Sequence, residues 1–241
     1  MRLDGVIFDL DGTLTDTLPI CFVAFRRAME EFTGRQYTDE EIMGCFGPSE
    51  EGIIQRLVHD RWEDCLCTYL EAYEREHRRA ARLFPGIETA LARLRERGVA
   101  LAIVTGRGPK TFAITLRQFD LSHRFDVVET GVPEGSNKPS GIQRILEMWG
   151  TSPDRVAYVG DAVSDVEDAK VAGVISLGAA WDPRSNAESL HRGGPQETFP
   201  SVERFIHWID TTVESIVDAH EPEERSIPAS THRHREDLGD R

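Results

Sequence analysis

Lysine is nearly missing from this 241-residue chain: Lys110, Lys138 and Lys170 are its only three. Basic residues as a whole number 28 against 42 acidic ones, a formal net charge of −14. Such a surface repels nucleic-acid phosphates, which excludes general nucleic-acid binding, and any phosphate-binding site must be built locally from particular cations and backbone amides. Cysteine is scarce too. Cys21, Cys45, Cys65 and Cys67 fit no zinc-ribbon spacing, and Cys65 and Cys67 stand two apart on an expected helix and so point to different faces. They read as free thiols of a reducing compartment. No apolar run is long enough to cross a bilayer, so no membrane partner is expected. Met1-Arg2-Leu3-Asp4-Gly5 lacks the basic-then-apolar order of a secretory leader, so a cytoplasmic protein that keeps its N-terminus is expected.

What the chain does contain is ordinary for a globular protein, 39% hydrophobic and 29% charged residues. Val6-Ile7-Phe8 reads as a buried strand ending in the polar turn Asp9-Leu10-Asp11-Gly12. The region from about Pro19 to Ala81 carries helical periodicity and no convincing strand. Phe22, Phe25, Ala28, Met29 and Phe32 recur on one face, and Thr38 and Ser49 are placed to cap further helices. From Pro85 onward strands and helices alternate. Strands are expected at Val99 to Val104, near Val127-Val128, at Val156 to Val159 and at Val174 to Leu177. Helices are expected at Ile87 to Arg97, 109–119, Ser140 to Trp149, Asp165 to Ala172 and Val202 to Val217. Alternation of this kind implies a parallel sheet covered on both faces. The predicted fold class is therefore α/β, a Rossmann-like doubly wound parallel sheet interrupted after its first strand by an all-α insert. The predicted division is 1–16 and 83–217 for the core and 17–82 for the insert, with a charged tail over 218–241 expected to be disordered.

The chemistry-bearing residues follow the strands. Ligand sites of open parallel sheets lie at the carboxyl ends of strands. Asp9 and Asp11 follow the first, Thr105 and Gly106 the second, Lys138 lies in the loop after the third, and Asp161 follows the fourth. Asp9 and Asp11, two apart, would share a face if the strand continued, and Asp161 and Asp165, four apart, would share one if a helix had begun. Four carboxylates at one edge would repel one another unless a cation joined them, and an all-oxygen set suits Mg2+. Any one Asp could equally be a cap or turn residue; the set, each member placed after an apolar strand, is what points to a site. Thr105-Gly106 offers a hydroxyl and an amide to a phosphate oxygen. Lys138 offers a compact charge.

Together these residues resemble the haloacid dehalogenase-like superfamily. Phe8 to Thr17 (FDLDGTLTDT) is similar to its first motif, Val104-Thr105-Gly106-Arg107 to its second, Lys138-Pro139 to its third and Gly160 to Asp165 (GDAVSD) to its fourth. The insert is similar to the small helical cap of the phosphoglycolate phosphatase-like branch. The resemblance implies a Mg2+-dependent phosphatase. Asp9 would be the nucleophile, forming an aspartyl-phosphate. Asp11 would protonate the leaving oxygen, then activate water, and touch the metal through its main-chain carbonyl. Asp161 would ligate Mg2+ with Asp165 beside it, while Thr105, Gly106 and Lys138 would hold the phosphoryl oxygens. The acid at position 11 separates this chain from the family's dehalogenases, and the absence of lysine between residues 12 and 109 removes the Schiff base that its phosphonate hydrolases need. In the insert, Gly47, Pro48, Ser49 and Glu50 form the candidate specificity loop, where Glu50 and Glu51 would repel a second phosphate. The expected partner is a small phosphorylated metabolite: phosphoglycolate, a sugar phosphate, a nucleoside monophosphate or pyrophosphate. A sugar phosphomutase or a pyrophosphatase of the same superfamily is the alternative enzyme, and a non-catalytic binding relative is the alternative of another class.

Overall fold

A computed structural model describes residues 1–119 and 121–216; the 218–241 tail lies outside them. The first apolar run forms β1 (Gly5–Phe8), buried at every position. Such a strand must be covered on both faces. The second run forms β2 (Ala100–Val104). With β3 (Val127–Glu129), β4 (Val156–Gly160), β5 (Ile175–Ala179) and β6 (Glu197–Phe199) they make one sheet in the order β3-β2-β1-β4-β5-β6. Every pairing is parallel, and β1 lies at the centre with Ile7 aligned between Ala102 and Tyr158.

Successive strand residues feed opposite layers because side chains alternate across a sheet. Val6, Phe8, Leu101, Ile103, Ala157 and Val159 pack under α5 (Ile87–Glu96) and α10 (Val202–Thr212), where Leu91, Leu94, Phe205 and Ile209 are buried with them. Ile7, Ala102, Val104 and Tyr158 pack under α7 (Lys138–Trp149) and α8 (Val163–Ala172), against Ile142, Ile145 and Ala169. The doubly wound α/β architecture read from the sequence is the one observed.

Between β1 and α5 stand α1 (Leu18–Thr33), α2 (Asp39–Met43), α3 (Glu50–Val58) and α4 (Trp62–Ala80). Pro19 sits in the first turn of α1, where its missing N–H costs nothing. A capping box of Thr38 and Glu41 opens α2. The apolar faces of α1 and α4 meet in a core of their own, with Phe22, Phe25, Ala28 and Met29 against Leu66, Tyr69 and Tyr73. The chain enters and leaves this insert side by side. Asp16 N–H donates to the Arg82 carbonyl (2.9 Å) and Phe84 N–H to the Leu14 carbonyl (3.1 Å). The Asp16 carboxylate pairs with Arg82 at 2.5 Å and with Arg184.

Some expectations are corrected. Lys138 is not a loop residue but opens α7, since Pro139 suits a first helical turn. Helix α8 begins at Val163, two residues before Asp165. Helix α10 ends at Thr212 rather than Val217, because the following backbone is drawn away: Glu214 N–H donates to the Met1 carbonyl (3.0 Å) and Ile216 N–H to that of Arg97 (2.8 Å). Ser49 occupies the N-cap of α3, but its hydroxyl makes no capping bond. The edge strand β6 and α9 (Ala187–Arg192) were not anticipated; both are too short to show a period.

Candidate active site

β1 stops at Phe8, and the chain turns tightly. Leu14 and Thr15 N–H both donate to the Leu10 carbonyl (2.9 Å each), and the Leu10 side chain enters the core. The period-2 argument therefore fails for the acids on either side of it. Asp9 continues the ladder, its N–H donating to the Val159 carbonyl (2.9 Å), and its carboxylate accepts from Lys138 Nζ at 2.9 Å. The Asp11 carboxylate turns instead toward Thr17 and Arg107. Four carboxylates do not share one point. Three do: Asp9, Asp161 and Asp165 each offer an oxygen, all within 4.8 Å of one another.

The turn glycine makes room for this group. Gly12 has φ +81°, and a Cβ there would lie 2.3 Å from Asp161 Oδ2. Thr13 Oγ1 donates to Asp161 Oδ1 (3.3 Å). Asp165 is held hardest: its Oδ1 accepts from Lys138 Nζ (2.6 Å) and the Tyr158 hydroxyl (3.1 Å), its Oδ2 from Ala162 N–H (3.1 Å). Burial pushes the Asp9 carboxyl up to about 7 in spite of Lys138, with Asp165 and Asp11 pushing the same way. Burial, then the charges of Asp165 and Asp9, hold Asp161 well above the ordinary carboxylate range. Burial opposes the Lys138 charge, but Asp165 and Asp9 on either side keep it protonated. One ammonium thus faces three crowded carboxylates, and a hard oxygen set with an unmet need for positive charge fits a divalent cation such as Mg2+.

Arg107 stands in the second motif with no role that the sequence alone assigns, and it is the most connected side chain here. It is 6% exposed. Nε and Nη2 grip Asp11 in a fork, 2.7 Å each. Nη1 reaches Glu50 Oε1 at 3.0 Å and the Tyr69 hydroxyl at 3.2 Å, Nη2 also meets Cys21 Sγ, and the Tyr73 ring lies 4.8 Å from the guanidinium carbon. Burial works against the Asp11 charge, but the Arg107 pair and the Thr17 hydroxyl hold its carboxyl below the usual range. Glu50 is saturated as well, accepting from Gly108 N–H (2.7 Å) and the Thr111 hydroxyl (2.9 Å). Glu51 lies 3.3 Å from Lys110. Both acids thus bind the core segment after β2: Glu50 meets Gly108 in its loop and Thr111 on α6 (Pro109–Phe119), and Glu51 meets Lys110 on the same helix. Other contacts join insert to core beside them: Ser49 N–H donates to the Val132 carbonyl (2.8 Å) and Arg56 to that of Glu134 (2.7 Å).

A cavity of about 580 Å³ lies between sheet edge and insert. Asp9, Asp11, Thr105, Gly106, Lys138, Asp161 and Asp165 line it, as do Gly47, Pro48 and Glu50. Ser49 does not: it is fully buried, and its hydroxyl faces Glu51. Thr105 is buried, its Oγ1 accepting from Arg107 N–H (3.2 Å).

A parallel sheet whose carboxyl edge gathers carboxylates and a lysine under a helical insert places these groups where open α/β enzymes bind their ligands. The family model described as haloacid dehalogenase-like hydrolase matches residues 6–179. A protein of Caldanaerobacter subterraneus, provisionally named pyrophosphatase PpaX, is 31% identical over 184 residues, 75% of this chain and 83% of its own. A crystal structure from Haemophilus somnus, titled a predicted phosphoglycolate phosphatase, shares the fold with TM-score 0.72 at 23% identity, over 86% of this chain and 98% of that one. Another from Thermotoga maritima, whose name proposes a beta-phosphoglucomutase, gives 0.68 at 26% identity over 88% and 100%. The chain belongs to the haloacid dehalogenase-like hydrolases and is an enzyme of their phosphatase kind. Phosphatases of this family generally use a divalent metal, and the buried aspartate cluster is present. Among the described residues no helix is long and apolar enough to cross a membrane.

Proposed function

We propose that this chain is a Mg2+-dependent phosphatase that hydrolyses a small phosphate monoester through a covalent intermediate on Asp9, with residues 17–82 acting as its cap. The observation that carries the reading is the position of Asp9: one oxygen lies on Lys138 at 2.9 Å, and the carboxyl belongs to the group with Asp161 and Asp165 that lines the cavity. Asp9, Asp161 and Asp165 would hold Mg2+, which offsets phosphoryl charge and orients the group for in-line attack. An Asp9 oxygen attacks phosphorus, the bond to the leaving oxygen breaks, and the alcohol departs with a proton from Asp11. Water then cleaves the acyl phosphate while Asp11 takes its proton. Lys138 Nζ, the Thr105 hydroxyl and the Gly106 N–H support the phosphoryl oxygens. The Arg107 fork holds Asp11 ionised, the form that accepts a proton from water; donation in the first half requires Asp11 to part from Arg107.

Hydrolysis of an aryl phosphate tests this. Turnover should require Mg2+, vanish with EDTA and fall by at least 10³-fold in Asp9→Asn, a loss in the range of other nucleophile removals. Equal, negligible rates for both proteins in Mg2+ would leave a binding protein without catalysis. Pyrophosphatase is the second reading, favoured by the name of the 31%-identical relative.

A further inference from the structure

We propose that the leaving group of the substrate is uncharged and apolar, an aliphatic or aromatic alcohol rather than a second phosphate, a carboxylate or a sugar. The inference rests on the phosphatase reading above and concerns the other half of the same cavity. The sheet edge supplies a polar floor; the roof, contributed by α1, α2, α3 and the loop between the last two, presents Leu18, Phe25, Ile42, Met43, Phe46 and Ile53. The cavity is far larger than one phosphoryl group, so whatever the phosphate is attached to meets that roof.

The polar side chains of the roof are already engaged. Glu50, Tyr69 and Cys21 all serve Arg107, and Glu50 also takes Gly108 and Thr111. Among the described residues Arg107 and Lys138 are the only basic ones lining the cavity, and Lys138 stands at the phosphoryl end between Asp9 and Asp165. The Arg107 charge is matched by Asp11 and Glu50. Among the described lining residues an anionic leaving group would find no unpaired cation and would meet the carboxylates of Asp11 and Glu50, and burying an unpaired charge is costly. Among the described residues the roof offers sugar hydroxyls no polar side chain that does not already engage Arg107; the remaining polar lining groups, Ser136, Ser164 and Asp168, come from the core. Met43 and Phe46 are 48% and 47% exposed, so apolar surface at the mouth is left in water for a ligand to cover. The step balances as ordinary ester hydrolysis: the phosphorus–oxygen ester bond breaks, water enters, and the products are the alcohol and inorganic phosphate.

The test is kcat/KM of the full chain with Mg2+ for n-alkyl phosphates from ethyl to hexyl and for phenyl phosphate, against pyrophosphate, phosphoglycolate and glucose 1-phosphate. Each added methylene should raise kcat/KM about two- to fourfold, the upper figure corresponding to full burial at about 0.8 kcal/mol. Hexyl and phenyl phosphate should exceed pyrophosphate by at least tenfold. Phe46→Ser and Met43→Ser, both at half-exposed positions, should flatten the chain-length slope. Hexylphosphonate should inhibit more strongly than methylphosphonate, a readout independent of turnover. A flat series with pyrophosphate, phosphoglycolate or the sugar phosphate preferred would overturn the inference while leaving the phosphatase intact. No hydrolysis of any compound would remove the phosphatase reading and the inference with it.

Discussion

Removing the Arg107 charge should weaken the protein by about 3 kcal/mol, through the two acids it leaves behind. Arg107→Met keeps the apolar stem and deletes the guanidinium. Asp11 loses two hydrogen bonds of 2.7 Å and Glu50 one of 3.0 Å, and the side chains of both acids are only 14% exposed. Breaking a buried ion pair on one side costs about 3–5 kcal/mol. The lower end applies because Thr17 still donates to Asp11, and Gly108 and Thr111 still donate to Glu50. Glu50 has an escape, since the insert that carries it can swing out and hydrate the acid. The penalty then cannot exceed the free energy of insert closure, and it appears as faster hydrogen exchange at the Gly108 amide. Urea unfolding should show a midpoint lower by about 1 M or more, taking a slope of about 3 kcal/mol/M. In a Glu50→Gln background the same substitution should cost about 2 kcal/mol less, within the range measured for close charge pairs. A loss below about 1 kcal/mol in both backgrounds with Gly108 exchange unchanged would refute the account.

Gly12→Ala should cost about 1–2 kcal/mol for its positive φ. It should also weaken Mg2+ binding at least tenfold by displacing Asp161, as read by calorimetric titration. Mg2+ should raise the Tm of the wild-type protein, and Asp161→Asn should raise the Tm without metal while abolishing that response, because one crowded carboxylate is gone. His77 is fully buried against Thr115, Tyr73 and Phe119, its Nδ1 has no partner, and burial pulls its pKa down to about 4. The folded state therefore favours neutral imidazole: its stability contribution is complete above about pH 6.5 and is lost as pH falls toward 4. Between pH 7.5 and 5 the wild type should lose up to about 2 kcal/mol more than His77→Phe in urea unfolding; parallel profiles would show that His77 does not titrate in this window.

Much of the sheet was legible because its strands are buried on both faces and read as unbroken apolar runs, Val6 to Phe8 and Val99 to Val104 above all. The rule that ligands gather at carboxyl strand ends then located Asp9, Lys138, Asp161 and Asp165 together without any tertiary information. What could not be read is what depends on direction. Glu50 and Glu51 were expected to face a substrate as free charges, yet Glu50 is bound to Arg107, Gly108 and Thr111 and Glu51 lies beside Lys110, because a sequence gives the charge of a side chain and not its partner. Arg107 is one of many arginines, and only its place directly after Thr105-Gly106 hinted at a role; its burial is created by Asp11, Glu50, Tyr69 and Tyr73, brought in from three separate elements. Asp11 escaped the period-2 argument because the strand ends before it. The β6 edge strand offers a single buried residue, Phe199, too little for any pattern.

The chain leaves the core at Asp16 and returns at Arg82, and the two points lie one hydrogen bond apart, 2.9 Å from the Asp16 amide to the Arg82 carbonyl. Along the chain the four-helix excursion takes up almost no room at its root: the gap it spans is one that a tight turn could bridge. Length, composition and even the presence of the excursion are therefore uncoupled from the register of β1 against its neighbours. A different roof could be grafted at this junction, changing which molecules are admitted, provided it again supplies partners for Arg107.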